Sequence, residues 1–217
     1  MHYSLPVSII HGDVKSTNIL LDHNYSAKVM DFGTSHSRDP DRFTHISTAV
    51  CGTFVYLDPE YIMRGTITER SDVYSFGVVL AELLTSRKAF SRDRPEKEVF
   101  LAEFLKFTAR EGYLEEIFDH EIVDGGNITA ARKVAHLACR CLQMKGVDRP
   151  SMKEVATELE LIWECMEKED QLASTPIIFR TSTFDTEPDH YMLRLDAADV
   201  NTDNDDESDD SSHSWVR

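Results

Sequence analysis

The sequence predicts an α+β domain, mainly helical, with a short β-hairpin region near its N-terminal end. Three observations carry that prediction. Two short apolar runs, Ile19 to Leu21 and Ala27 to Met30, flank Asp22, His23 and Asn24, the punctuation of a small hairpin. The stretch Val73 to Leu84 is apolar nearly all round, as suits a helix buried inside a domain. Farther on, apolar residues recur at helical spacing, first at Val134, Leu137, Ala138 and Cys141, then at Met152, Val155, Leu159, Ile162 and Met166.

Taken in order, the chain reads as three regions. From about Val7 to Tyr61 it is loop-rich with short β-type runs; from about Ser71 to Lys168 it is helical. Gly125, Gly126 and Asn127 mark a loop between helices, and Ser151 with Glu154 forms a capping box at the start of the last one. The third region, from about Gln171 to Arg217, carries 11 acidic and 3 basic residues, eight positions of it forming the run 203–210. Such a segment buries too little apolar area to offset its chain entropy. The expected organisation is one domain over 1–168 followed by an acidic, disordered tail over 169–217. Ser208, Ser211 and Ser212 leave a phosphorylated or partner-binding role for that tail open.

Composition excludes several functions. With 217 residues, 41% of them hydrophobic, one globular domain with an appendage is enough. Ser75, Gly77 and Glu82 interrupt the longest apolar stretch, which falls short of the roughly 20 residues that span a bilayer. Met1 to Ser8 lacks the pattern of a secretory signal. A formal charge of -16 argues against a nucleic-acid partner. Cys51, Cys139, Cys141 and Cys165 form no CxxC pair and His136 sits singly on a helical pattern, so structural zinc is not expected and a cytoplasmic chain with reduced thiols is.

The chemistry lies in the first region. A phosphoryl group in transfer carries charge on its oxygens and needs magnesium, placed cations and an acceptor hydroxyl held in line. Asn18 and Asp31 can supply hard oxygen ligands to Mg2+, Lys15 can neutralise the transferring phosphate, and Asp13 can orient the acceptor hydroxyl and take its proton. Each residue alone means little. Their order is specific: HGDVKSTN over His11 to Asn18, DFG over Asp31 to Gly33, Gly52 with Thr53, DPE over Asp58 to Glu60, and SDVYSFG over Ser71 to Gly77.

This set resembles the large, C-terminal lobe of a protein serine/threonine kinase. VKSTNILLD, DFGTS, YLDPEY and SDVYSFGVVLAELLT are similar to plant receptor-like kinases, most of all the wall-associated ones. The resemblance runs from about Ile9 to Met166 and implies a catalytic loop at 11–18, an activation segment at 31–60, ATP and Mg2+ as co-substrate and cofactor, and protein Ser/Thr hydroxyls as acceptors. It implies Asp13 as catalytic base, Lys15 as the phosphate-contacting lysine, Asn18 and Asp31 as metal ligands, Leu20 as the apolar floor under adenine, and His11 and Phe32 as spine residues. Asp72 would anchor the catalytic-loop backbone, Thr53 would contact the substrate loop, and Glu60 would pair with Arg149 inside the lobe. The parent family sits at the plasma membrane with its kinase domain on the cytoplasmic side.

Two departures qualify the resemblance. Gly12 stands where an arginine usually pairs with a phosphorylated activation loop, so phosphorylation of Thr44, Ser47 or Thr48 is not expected to order the loop through position 12. Only ten residues precede His11, so the small N-terminal lobe is expected to be missing and activity of these residues alone to be weak or absent. Three readings follow: a serine/threonine kinase domain fragment in cell-surface signalling, a non-catalytic lobe acting as a binding or decoy module toward intact receptor kinases or a small lobe in trans, or a relic that keeps only the fold.

Overall fold

The computed structural model describes residues 2, 7–38, 46–47, 50–123 and 127–174. Three two-stranded antiparallel ladders occupy the N-terminal part. Strand β1 (Ser8–Ile10) pairs with β4 (His36–Arg38), Ile9 opposite Ser37. Strand β2 (Ile19–Leu21) pairs with β3 (Ala27–Val29), Leu20 opposite Lys28, at the expected hairpin. Its turn is held by Asp22, whose Oδ1 accepts the N–H groups of Asn24 and Ser26. Strand β5 (Ile46–Ser47) pairs with β6 (Thr66–Ile67), Ser47 opposite Thr66.

Between the last two strands lies helix α1 (Pro59–Arg64), which the sequence reading left within loop. Its signals were local. Asp58 caps it through a 2.8 Å bond from the Glu60 N–H, Pro59 opens it, and Gly65 closes it with φ 65°. Helix α2 (Glu69–Thr85) follows, started by a reciprocal cap between Thr68 and Ser71. Val73, Val78 and Ala81 on it are fully buried. Helices α3 (Leu101–Glu111), α4 (His120–Ile122), α5 (Ile128–Cys141) and α6 (Met152–Ser174) complete the order.

Helix α2 is the centre of the packing. Val78, Leu84, Leu101, Leu105, Ala135 and Leu142 join α2, α3 and α5 in one core, and Val73, Leu137, Cys141 and Val155 add α6. Each fully buried Leu or Val contributes about 1.5–3 kcal/mol relative to exposure. Gly77 sets the α2–α5 approach: a Cβ there would lie 2.8 Å from Cys141 Cβ and 3.1 Å from Leu142 Cγ. The capping box at the head of α6 is present, with Ser151 N–H on Glu154 Oε2 at 2.7 Å and Glu154 N–H on Ser151 Oγ at 3.3 Å. All four cysteines are free thiols, and burial pushes the Cys141 thiol up to about 12. Gly125, Gly126, Thr44, Thr48, Ser208, Ser211 and Ser212 lie outside the described residues.

Candidate active site

The 11–18 segment hangs from the first turn of α2. Asp72 is only 1% exposed, and its two oxygens accept consecutive backbone N–H groups, His11 at 2.7 Å and Gly12 at 2.9 Å. His2 Nε2 lies 2.8 Å from the same carboxylate. Bonds to a charged group are worth about 1.5–3 kcal/mol each, enough to fix the path of this backbone. Gly12 has φ +82°, and a Cβ there would sit 3.0 Å from the Thr34 carbonyl and 3.2 Å from Ile67 Cδ1. Glycine therefore meets a steric demand at position 12 as well as removing a cation from it.

That path delivers Asp13 into a cradle of donors. Lys15 Nζ lies 2.6 Å from Asp13 Oδ2 and donates to Thr53 Oγ1 at 2.9 Å, while the Thr53 N–H donates to Asp13 Oδ1 at 2.8 Å. Asn18 Nδ2 donates to the Asp13 carbonyl at 2.9 Å and reaches Oδ2 at 3.3 Å. Burial alone would raise the Asp13 pKa, but the bonds from Lys15 and Thr53 outweigh it and hold the carboxyl below the usual carboxylate range. Asp13 is thus an ionised acceptor at neutral pH.

The segment 30–33 is stitched to the same loop. Met30 donates its N–H to the Asn18 carbonyl at 2.9 Å, and its own carbonyl lies 3.0 Å from His11 Nε2. The next residue, Asp31, adopts φ 64° and ψ 67°, a left-handed conformation that costs a non-glycine residue about 1–3 kcal/mol and persists where surrounding contacts over-determine it. One such contact is the Phe32 ring, tilted at 57° against His11 with centroids 4.8 Å apart. Asp31 is exposed, and among the described residues its carboxylate has no hydrogen-bond or ion-pair partner. Gly33 continues the turn, and Leu20 is exposed on the neighbouring hairpin.

A family model described as the protein kinase domain matches residues 1–159. The chain belongs to the protein kinase family. It is 45% identical over 192 residues to wall-associated receptor kinase-like 1 of Arabidopsis thaliana, covering 88% of this chain and 25% of that protein. It is 48% identical over 162 residues to wall-associated receptor kinase-like 3 of the same plant, covering 75% and 22%. To receptor-like protein kinase THESEUS 1, also of Arabidopsis thaliana, it is 42% identical over 224 residues, covering 100% and 26%. The chain therefore spans about a quarter of the length of these relatives. It is a plant receptor-like kinase domain in its resemblance, and its fold is the mainly helical α+β type of the large lobe.

One expected pairing in the kinase lobe is different. Arg149 meets Asp58, not Glu60: its Nη2 lies 2.6 Å from Asp58 Oδ1, with the two side chains 0% and 3% exposed. Glu60 instead accepts the Gly146 N–H at 2.6 Å and pairs with Arg64 at 2.9 Å. The cause is the cap. Asp58 turns inward to close the start of α1 and to take Ser71 Oγ at 2.9 Å, which places its carboxylate beside the guanidinium, while Glu60 lies on the half-buried flank.

The sequence reading also missed a hydroxyl that joins three segments of the kinase domain. Tyr56 OH donates to Glu82 on α2 at 2.9 Å and lies 3.2 Å from Ser16 Oγ in the 11–18 segment. Glu82 in turn accepts the Ala89 N–H at 2.9 Å. Burial first, then Glu82, pushes the Tyr56 hydroxyl up to about 12, so it stays a donor. No short motif marks this network, because its members are far apart in sequence. Among the described residues no helix is long and apolar enough to cross a membrane, and no three His, Cys, Asp or Glu side chains gather as a metal cluster.

Proposed function

We propose that the chain is the large-lobe part of a serine/threonine protein kinase that transfers the γ-phosphate of ATP to protein Ser or Thr hydroxyls in cell-surface signalling. The observation that carries this reading is the Lys15 ammonium shared between the Asp13 carboxylate and the Thr53 hydroxyl. It puts a cation, an ionised carboxylate and a hydroxyl within one hydrogen-bond network, as a base beside an acceptor site would need.

The donor set fits a magnesium site. Asn18 has its Nδ2 engaged by Asp13, which leaves the carboxamide oxygen as an acceptor, and Asp31 offers an exposed, unpartnered carboxylate among the described residues. When bound, Mg2+ with ATP supplies the phosphoryl group and neutralises its charge. Asp13 orients the acceptor hydroxyl and takes its proton at the carboxylate, Lys15 steadies both that carboxylate and the phosphoryl oxygens, and Asp72 fixes the loop that bears them. Leu20 would supply the apolar floor for adenine, and His11 and Phe32, whose rings are in contact, would serve as spine residues. The exposed apolar side chains Leu20, Leu21, Val29 and Met30 on the hairpin favour a small lobe as partner, in the same polypeptide or in trans. The domain would act on the cytoplasmic side of the plasma membrane.

Calorimetry with Mg2+ and ATP tests the site, and phosphate transfer to a generic protein substrate, with and without a small lobe supplied in trans, tests the reaction. Asp31→Asn should weaken nucleotide binding by about tenfold or more, equivalent to about 1.4 kcal/mol, and Asp13→Asn should remove transfer while leaving nucleotide binding intact. A folded chain whose nucleotide binding is the same with Asp31→Asn would defeat the metal assignment.

A further inference from the structure

Helix α3 carries a stripe of aromatic rings, and the 86–99 loop lays cations across it. Arg87 Cζ lies 5.7 Å from the Phe104 ring centroid. Lys97 Nζ and Arg110 Cζ lie 5.9 Å and 5.6 Å from that of Phe107, whose edge Tyr113 meets at 5.9 Å. A cavity of about 480 Å³ opens at this point, lined by Lys97, Glu103, Lys106, Phe107 and Arg110.

The charges here do not cancel internally. Lys106 pairs with Glu103 at 2.7 Å, Arg110 with Glu111 at 3.2 Å, and Arg87 with Glu98 at 3.3 Å. The cavity lining itself holds three cations, Lys97, Lys106 and Arg110, against one carboxylate, Glu103. Lys97 has no carboxylate partner among the described residues. On a chain of formal charge -16, this is a local reversal of sign. The same loop is tied to the 11–18 segment through Ala89, Glu82, Tyr56 and Ser16.

We propose that this face is a docking surface for an acidic segment of the protein substrate, its oxyanions taken by Lys97 and Lys106 and its stem laid on Phe107. The proposal rests on the kinase reading only in calling the partner a substrate. The docking itself involves no nucleotide, so its failure and the failure of that reading are separable.

The probe is a short fluorescein-labelled peptide of Asp and Glu, with a neutral Gln/Asn peptide and a phosphoserine peptide of equal length for comparison. Binding to the full chain is followed by fluorescence anisotropy without ATP. The acidic peptide should bind and the neutral one should not, with affinity falling as salt is raised. The double variant Lys97→Glu with Lys106→Glu should weaken binding by about tenfold or more, while Lys133→Glu, an exposed change on α5, should leave it unaltered. Circular dichroism melting checks that both variants remain folded. Tighter binding of the phosphoserine peptide would assign the oxyanion to phosphoryl groups, and equal or weaker binding would assign it to carboxylates; either supports the surface. Equal affinity of the double variant and the original chain overturns the proposal. So does an equal loss with Lys133→Glu, or capture of phosphatidylserine vesicles through Lys97 and Lys106 in the absence of peptide binding.

Discussion

Replacing Arg149 with alanine should destabilise this domain strongly. The guanidinium is fully buried and donates to four acceptors: Asp58 Oδ1 at 2.6 Å and the carbonyls of Gln143, Arg70 and Met144 at 2.7, 2.8 and 3.1 Å. Its Cζ also lies 5.0 Å from the Tyr74 ring centroid. After truncation Asp58 keeps only the Glu60 N–H and the Ser71 hydroxyl. Breaking a buried pair costs about 3–5 kcal/mol, and stranded carbonyls that water only partly reaches bring the total to about 4–6 kcal/mol. That is comparable to the lower end of the roughly 5–15 kcal/mol by which a domain is stable. With a urea m value of about 2 kcal/mol/M, the unfolding midpoint should fall by about 2–3 M. A double-mutant cycle sharpens the test: Asp58→Asn with Arg149→Met should show coupling of about 1.5 kcal/mol or more, and Glu60→Gln with Arg149→Met less than about 0.5 kcal/mol. A midpoint shift under about 0.5 M, or the larger coupling falling on Glu60, would refute the assignment of Asp58 as the partner.

Other substitutions probe the same framework. Gly77→Ala gains about 1 kcal/mol of helix propensity but forces a Cβ against Cys141 and Leu142, so the melt should show a net loss of about 1–2 kcal/mol. Gly12→Arg should cost about 1–3 kcal/mol in urea unfolding, because a side chain there meets both a positive φ and the Thr34 carbonyl. Asp13 has a depressed folded pKa, so its stabilising contribution is complete above the unfolded value of about 3.9 and is lost as pH falls through the lower folded value. The stability difference between the original chain and Asp13→Asn should accordingly be constant near neutrality and shrink below about pH 4.

Much of this architecture was readable from residue order because its signals are local. The Ile19–Leu21 hairpin, the all-round apolar stretch of α2 and the Ser151–Glu154 cap each need only a few neighbouring residues to declare themselves, and all three stand in the structure. Helix α1 was equally local, with Asp58, Pro59 and Gly65 in their ordinary capping positions, and was passed over because its body is only six residues long. The short ladders β1–β4 and β5–β6 were not readable, since strands of two or three residues pair by tertiary position and not by periodicity. At the site, Asp13, Lys15, Asn18 and Thr53 share hydrogen bonds, and Asp72 holds the backbone of His11 and Gly12. The Arg149 partner did not, because DPE offers two carboxylates two residues apart and only the cap geometry of α1 decides which one faces inward.

The Asp72 carboxylate has a consequence for motion. It receives the amide protons of His11 and Gly12 at the same moment, from within the helix that forms the centre of the core. Those two amides cannot meet solvent unless the 11–13 backbone leaves α2, which would strand a buried charge. Their exchange with deuterium should therefore follow the opening of the whole domain and not a local fluctuation, although they belong to a loop. The loop that carries Asp13 is, in this respect, as slow as the core.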